Sequence, residues 1–123
     1  MAIDPRGADL KRLMAEDDGG PLVMLNLLRF AEGKRDAYNE YVRLFGETFL
    51  ERYGAELIYF GDGSTVLAAE SGQEWDAVVL VRYPNREAFS RMVADPEYHE
   101  ISHLRTGALT EAVLQATVPR DLG

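Results

Sequence analysis

Residues 75–109 read WDAVVLVRYPNREAFSRMVADPEYHEISHLRTGAL. Within them, Asp76 to Tyr83 (DAVVLVRY) is short, almost wholly apolar and rich in β-branched side chains, the pattern of a strand buried on both faces and therefore interior to a sheet. Pro84 lacks an N–H and forces Tyr83 into extended geometry, so the strand ends there. Asn85 follows in the place of a helix N-cap, and Phe89, Met92 and Val93 give that helix one apolar stripe. Asp95-Pro96 starts a second helix, since Asp caps well and Pro is tolerated at the first helical position. This helix is expected to reach Arg105 or Thr106, with Gly107 closing it.

His99-Glu100-Ile101-Ser102-His103 is a literal H-E-x-x-H, the pattern of zinc hydrolases, in which two imidazoles share a helix face and the Glu acts as general base. The chain has no third histidine, and LRTGAL follows in place of an extended motif. At about 100° per residue, Ile101, Leu104, Arg105 and Ala108 share a face with Tyr98, while the histidines fall on the other side and are expected to face water. No metal site is therefore expected. Arg105, however, lies inside the apolar stripe. Either its stem packs while the guanidinium reaches solvent or a carboxylate, or it holds an anion at a pocket edge.

Leu22 to Phe30, LVMLNLLRF, is a second buried strand. Asn26 interrupts it, and a buried amide needs a specific partner, either structural or a ligand. Arg29 lies near the strand end. From about Asp36 to Tyr53, Tyr38, Tyr41, Val42, Phe45 and Phe49 recur at spacings of three and four, and Gly54 is a good terminator: this is the long helix. Ala55–Phe60 and Ser64–Ala69 flank Gly61-Asp62-Gly63 and predict a β-hairpin. Residues 7–16 form a short amphipathic helix, 17–21 (DDGGP) a loop, and 111–118 a last strand ended by Pro119. The expected division is an N-terminal helix and loop (1–20), one domain (21–119) and a fraying tail (120–123).

The 123 residues suffice for one domain with a core that needs no staples. There are no cysteines, so disulfides, thiolate catalysis and Cys-ligated zinc are excluded. With 21 acidic against 13 basic residues and a net charge of −8, neither nucleic acid nor an anionic membrane is an expected partner. No apolar run is long enough to span a bilayer, and the N-terminus lacks the apolar core of a signal peptide, so the cytoplasm is the expected compartment.

Without the leading helix, and with the hairpin counted as one elaborated strand, the order is β-α-β-β-α-β. That is the α+β, ferredoxin-like split-βαβ pattern, with helices on one face of an antiparallel sheet. The other face of such apolar strands would be a large hydrophobic patch, and a second copy packing sheet to sheet is the simplest cover, giving a homodimer.

NLLRF at 26–30, YGAELIYFG after the long helix, and the 78–109 segment together resemble the domain-of-unknown-function 1330 family, which is similar to the dimeric α/β-barrel superfamily. The resemblance spans about residues 20–118. Its most specific element is Tyr83-Pro84 through Asp95-Pro96, Tyr98 and Arg105. It implies no assigned reaction and hence no catalytic residue, and H-E-x-x-H is not part of the family's pattern. Members of the wider superfamily include cofactor-free monooxygenases, isomerases and haem-degrading enzymes, with a pocket between sheet and helices or near the dimer interface.

The expected site is such a pocket, binding a small aromatic or unsaturated anion without a cofactor. Asn26, Arg29 and Arg105 would be its polar fixtures, Tyr41 and Trp75 its apolar wall, and Tyr98 a further ligand contact. The chemistry would be isomerase- or monooxygenase-like, although no base is identifiable, since neither histidine is expected to face the pocket. A non-catalytic ligand-binding dimer and a zinc hydrolase through His99 and His103 are the alternatives.

Overall fold

The structure, a computed structural model, describes residues 3–121. Met1, Ala2 and the last two residues of the expected fraying tail lie outside them. The elements run α1 (Gly7–Ala15), β1 (Leu22–Phe30), α2 (Arg35–Arg52), β2 (Glu56–Asp62), β3 (Ala77–Tyr83), α3 (Arg86–Ala94), α4 (Pro96–Ala108) and β4 (Leu109–Thr117). The sheet order is β2-β3-β1-β4 and every neighbouring pair is antiparallel. This is the ferredoxin-like α+β arrangement, and the two most apolar strands are the two central ones.

Strand alternation divides the sheet. Leu22, Met24, Asn26 and Leu28 of β1, with Ala77, Val79, Val81 and Tyr83 of β3, are buried. They share one core with Tyr38, Tyr41, Phe45 and Phe49 of α2 and with Tyr98 and Ala108 of α4. The intervening residues Val23, Leu25, Leu27, Val78 and Leu80 point to the opposite face and are only half-buried. Two caps hold the α3–α4 corner: Asn85 Oδ1 accepts from the Ala88 N–H at 2.8 Å, and Asp95 Oδ1 from the Glu97 N–H at 2.9 Å.

Two expectations are corrected. The hairpin does not form. Gly61 and Asp62, read as its turn, stay extended and pair with Val78 and Ala77, and Ser64–Ala69 belongs to a loop spanning 63–76. A long ladder against the β-branched strand β3 outcompetes a local turn. Gly63 is needed for a different reason. Its N–H bonds the Asp76 carbonyl at 2.8 Å, and a Cβ there would collide with the Trp75 carbonyl. Gly107, read as a terminator, is helical. α4 runs on to Ala108 and passes directly into β4 at Leu109, whose φ of −111° and ψ of 139° are already those of a strand.

The N-terminal segment is fastened to the core at two points, each an arginine buried in the domain. Arg86 donates to the Leu13 carbonyl at the C-terminal end of α1 (3.2 Å). Arg105 donates to the Ile3 carbonyl (2.9 Å) and to Asp4 Oδ1 (2.8 Å).

Candidate functional site

Spacings of three and four put Tyr38, Tyr41, Phe45 and Phe49 on one side of α2, all buried. On α4, Tyr98 and Arg105 stand two turns apart on the facing side. Between these helices and the buried face of β1 and β3 is a cavity of about 380 Å³. That is the size of a small-ligand pocket and roughly a dozen times a water molecule's share of liquid volume. The aromatic walls brace one another: Tyr41 stacks on Phe45 at 5.9 Å between centroids, and Phe49 meets Tyr98 edge to face at 5.6 Å.

The polar groups in this apolar enclosure are few. Arg105 is 5 % exposed. Its Nη1 serves both Ile3 and Asp4, whereas Nη2 is buried with no hydrogen-bond partner among the described residues. The Tyr41 and Tyr98 hydroxyls bond each other at 2.7 Å. Asn26 Nδ2 makes two long bonds, 3.4 Å each, to the Met24 and Val79 carbonyls, so its partners are strand backbone.

Burial pushes the Tyr38 phenol up to about 12 against the opposing pull of the Arg105 cation. It also holds Tyr41, Tyr83 and Tyr98 above the ordinary range. All four phenols are therefore neutral hydroxyls at pH 7, and Arg105 supplies the positive charge. The arrangement can fix one anionic or carbonyl oxygen on an otherwise apolar body.

Of the residues singled out in the sequence, Asn26, Tyr41, Tyr98 and Arg105 line this one cavity. Arg29 and Trp75 do not. Arg29 is three positions from Asn26 on a strand, which puts it on the opposite face. Its guanidinium covers the Trp75 ring at 4.8 Å, pairs with Glu111 at 3.3 Å and donates to the Gly72 (3.1 Å) and Glu74 carbonyls. The two residues fasten the 63–76 loop.

Tyr38, Tyr83, Ser102, Asp4 and His99 line the cavity and were not anticipated. Tyr38 lies on the same stripe as Tyr41, and Tyr83 on the same alternation as Val79, so those two could have been read from periodicity. Asp4 gave no signal.

His99 corrects the expectation that neither histidine faces the pocket. It is exposed, but it forms part of the cavity wall beside Ser102. On the wheel it lies outside the apolar stripe but about 60° from Ser102, and the cavity meets α4 on the flank of Tyr98, Ser102 and Arg105 rather than on the centre of the stripe. Its Nε2 lies 2.8 Å from the Val93 carbonyl. A carbonyl only accepts, so in the neutral ring Nε2 carries the proton and Nδ1 the lone pair. His103 is exposed and off the cavity. Among the described residues no group of three or more His, Cys, Asp or Glu is placed to hold a metal ion, and no helix is long and apolar enough to cross a membrane.

Solved structures share this fold. A protein of unknown function from Rhodopseudomonas palustris, RPA0582, is 31 % identical, superposes with a TM-score of 0.86, and the match covers 97 % of each chain. A dimeric ferredoxin-like protein of unknown function from Jannaschia sp. is 15 % identical with a TM-score of 0.62, over 81 % of this chain and all of that one. A NIPSNAP family protein from Agrobacterium tumefaciens is 16 % identical with a TM-score of 0.61, over 85 % and 90 % of the two chains. No curated protein matches the sequence. The model of the domain of unknown function DUF1330 matches residues 27–117, from the middle of β1 to the end of β4. The chain belongs to the DUF1330 family.

Proposed function

We propose that the chain works as a homodimer in which each copy binds one small, largely apolar anion in the cavity around Arg105. The observation that supports this reading is the Nη2 of a buried arginine at the wall of an aromatic cavity, without a hydrogen-bond partner among the described residues. A buried donor without a partner costs free energy, and a cation in such a place calls for an acceptor. A carboxylate, phenolate or enolate oxygen satisfies Nη2, while the aromatic and aliphatic walls take the body of the molecule. The dimer is supported by the apolar helix-free face of β1 and β3, and by the dimeric state of similarly folded proteins from Jannaschia and Bacteroides fragilis.

Calorimetric titration with benzoate and its uncharged counterpart benzamide tests the ligand. Benzoate is expected to bind more tightly, with the preference lost in Arg105→Met, which keeps much of the stem. Equal binding of the two probes, or a preference that survives Arg105→Met, rejects the assignment. Light scattering tests the dimer, and a monodisperse monomer rejects it.

A second reading, cofactor-independent proton transfer, has His99 in its favour: a neutral imidazole with its lone pair on Nδ1, on a residue of the cavity wall, is a base. Phenylpyruvate, an aromatic anion with exchangeable protons beside its carbonyl, is a suitable probe. The reading requires solvent deuterium to enter it faster than in buffer, and that acceleration to vanish in His99→Ala.

A further inference from the structure

Asp4 is the carboxylate nearest to hand for the cavity's cation, and it comes from a segment that need not stay there. Its Oδ1 accepts from Arg105 Nη1 at 2.8 Å and its Oδ2 from Thr106 Oγ1 at 2.8 Å. The two ends of this ion pair differ sharply in setting. The Arg105 side chain is 6 % exposed and the Asp4 side chain 47 %. Asp4 can return to water at little cost, whereas Arg105 left alone would be an uncompensated buried charge. The segment bearing Asp4 is anchored independently further along. Arg86 bonds the Leu13 carbonyl, Leu10 and Leu13 pack against the core, and Arg6 pairs with Asp9 at 3.0 Å across the start of α1. Ile3 packs against the core as well, so residues 3–5 leave by giving up that contact, while the independent anchors keep α1 in place.

Charge sets the condition for leaving. With Asp4 in place the Arg105 site is already neutral, and a second carboxylate would put two negative groups on one cation. With Asp4 gone and nothing in its place, the buried cation is stranded.

We propose that residues Ile3–Pro5 form a carboxylate-tipped strap that occupies the anion subsite of the empty protein and is exchanged for the anion of an incoming ligand. The strap closes one wall of the cavity, since Asp4 and Pro5 both line it, so the same exchange that satisfies the ligand opens its path of entry. This rests on the cavity being an anion site, and it adds that the site is self-occupied and competitive.

Benzoate binding to the full chain, measured by calorimetry and followed by nitrogen-15 relaxation at the Ile3 and Asp4 amides, tests the strap. In the wild type, saturating benzoate should raise the fast motion of these two amides and leave α1 unchanged. Asp4→Asn keeps the shape of the side chain and removes its charge. It should raise benzoate affinity about tenfold, the scale of one charge-assisted contact released from competition, with little effect on benzamide.

A strap that is only a structural clamp gives the reverse: benzoate leaves or lowers the motion of Ile3 and Asp4, and Asp4→Asn weakens binding. That result, with benzoate still dependent on Arg105, overturns the strap and leaves the anion site standing. Benzoate failing to bind both the wild type and Asp4→Asn overturns the anion site and the strap together.

Discussion

The Tyr41 hydroxyl on α2 and the Tyr98 hydroxyl on α4 stand 2.7 Å apart, each the other's polar partner in an aromatic wall. Tyr41→Phe leaves the Tyr98 hydroxyl with no partner from α2 and should lower stability by about 1–2 kcal/mol. The double substitution to Phe at both positions should cost less than the two single changes added together, because the second removes a group already orphaned. Urea unfolding of the three variants measures the coupling, and simple additivity would mean that the pair contributes nothing of its own.

The phenols give a sign to the alkaline side of the stability curve. Burial raises Tyr38 to about 12 and holds Tyr41, Tyr83 and Tyr98 above their ordinary range. The folded chain therefore keeps protons that the unfolded chain releases near pH 10. Their contribution is complete below the unfolded value and is lost as pH rises from about 10 toward 12 and beyond. The melting temperature should fall steeply over that interval. An ultraviolet titration at 295 nm should show these four phenols ionising late or together with unfolding. Smooth ionisation of all the tyrosines near pH 10 in folded protein would contradict this.

Arg29 and Trp75 should matter to the loop and not to the cavity. Arg29→Met removes the donor to the Gly72 and Glu74 carbonyls and the partner of Glu111. Faster hydrogen exchange across 63–76 is expected, with benzoate affinity unchanged within a factor of about two, well under the tenfold that a lost ligand contact would give.

Gly63→Ala forces a Cβ against the Trp75 backbone carbonyl, which has no flexible side chain to move aside. A loss of about 2 kcal/mol or more is expected from the resulting overpacking. Gly72→Ala is the companion. Its added Cβ meets nothing within 4 Å, and its φ of +85° strains any L residue, so its cost measures backbone strain alone. Denaturation midpoints of the two separate collision from strain.

How much of this was legible depended on whether a signal was periodic. Nearly unbroken apolar runs in DAVVLVRY and LVMLNLLRF identified the two central strands, and the spacing of Tyr38, Tyr41, Phe45 and Phe49 identified the long helix, because burial sets the composition of the first and the period of the second. The same period placed Arg105 in the core before any cavity was known. Glycine was ambiguous. Gly54, with a φ of 64°, terminates α2 as read, but Gly63 serves close approach and Gly107 continues a helix. A single letter cannot say which of its freedoms is used.

Arg29 was misplaced by overlooking the strand's own parity against Asn26, and His99 by assuming that the cavity meets α4 on the centre of its apolar stripe rather than on the flank of Tyr98 and Ser102. Asp4 was invisible for a different reason. Its partner Arg105 is 101 residues away, and nothing local marks a half-exposed aspartate as the counter-charge of a buried arginine.

The two arginine anchors of the N-terminal segment bear on where this domain can be cut. The family match begins at residue 27, inside β1, and even a fragment extended back to residue 20 to keep the whole of that strand would discard α1 and residues 3–6 while retaining Arg86 and Arg105. Both side chains would lose every acceptor described for them and remain among apolar neighbours, one beside α3 and one at the cavity wall. The fragment would contain every strand of the sheet and still be the wrong molecule: short of a lid, and carrying two guanidinium groups in search of new acceptors, which a purification buffer rich in sulfate or phosphate would readily supply.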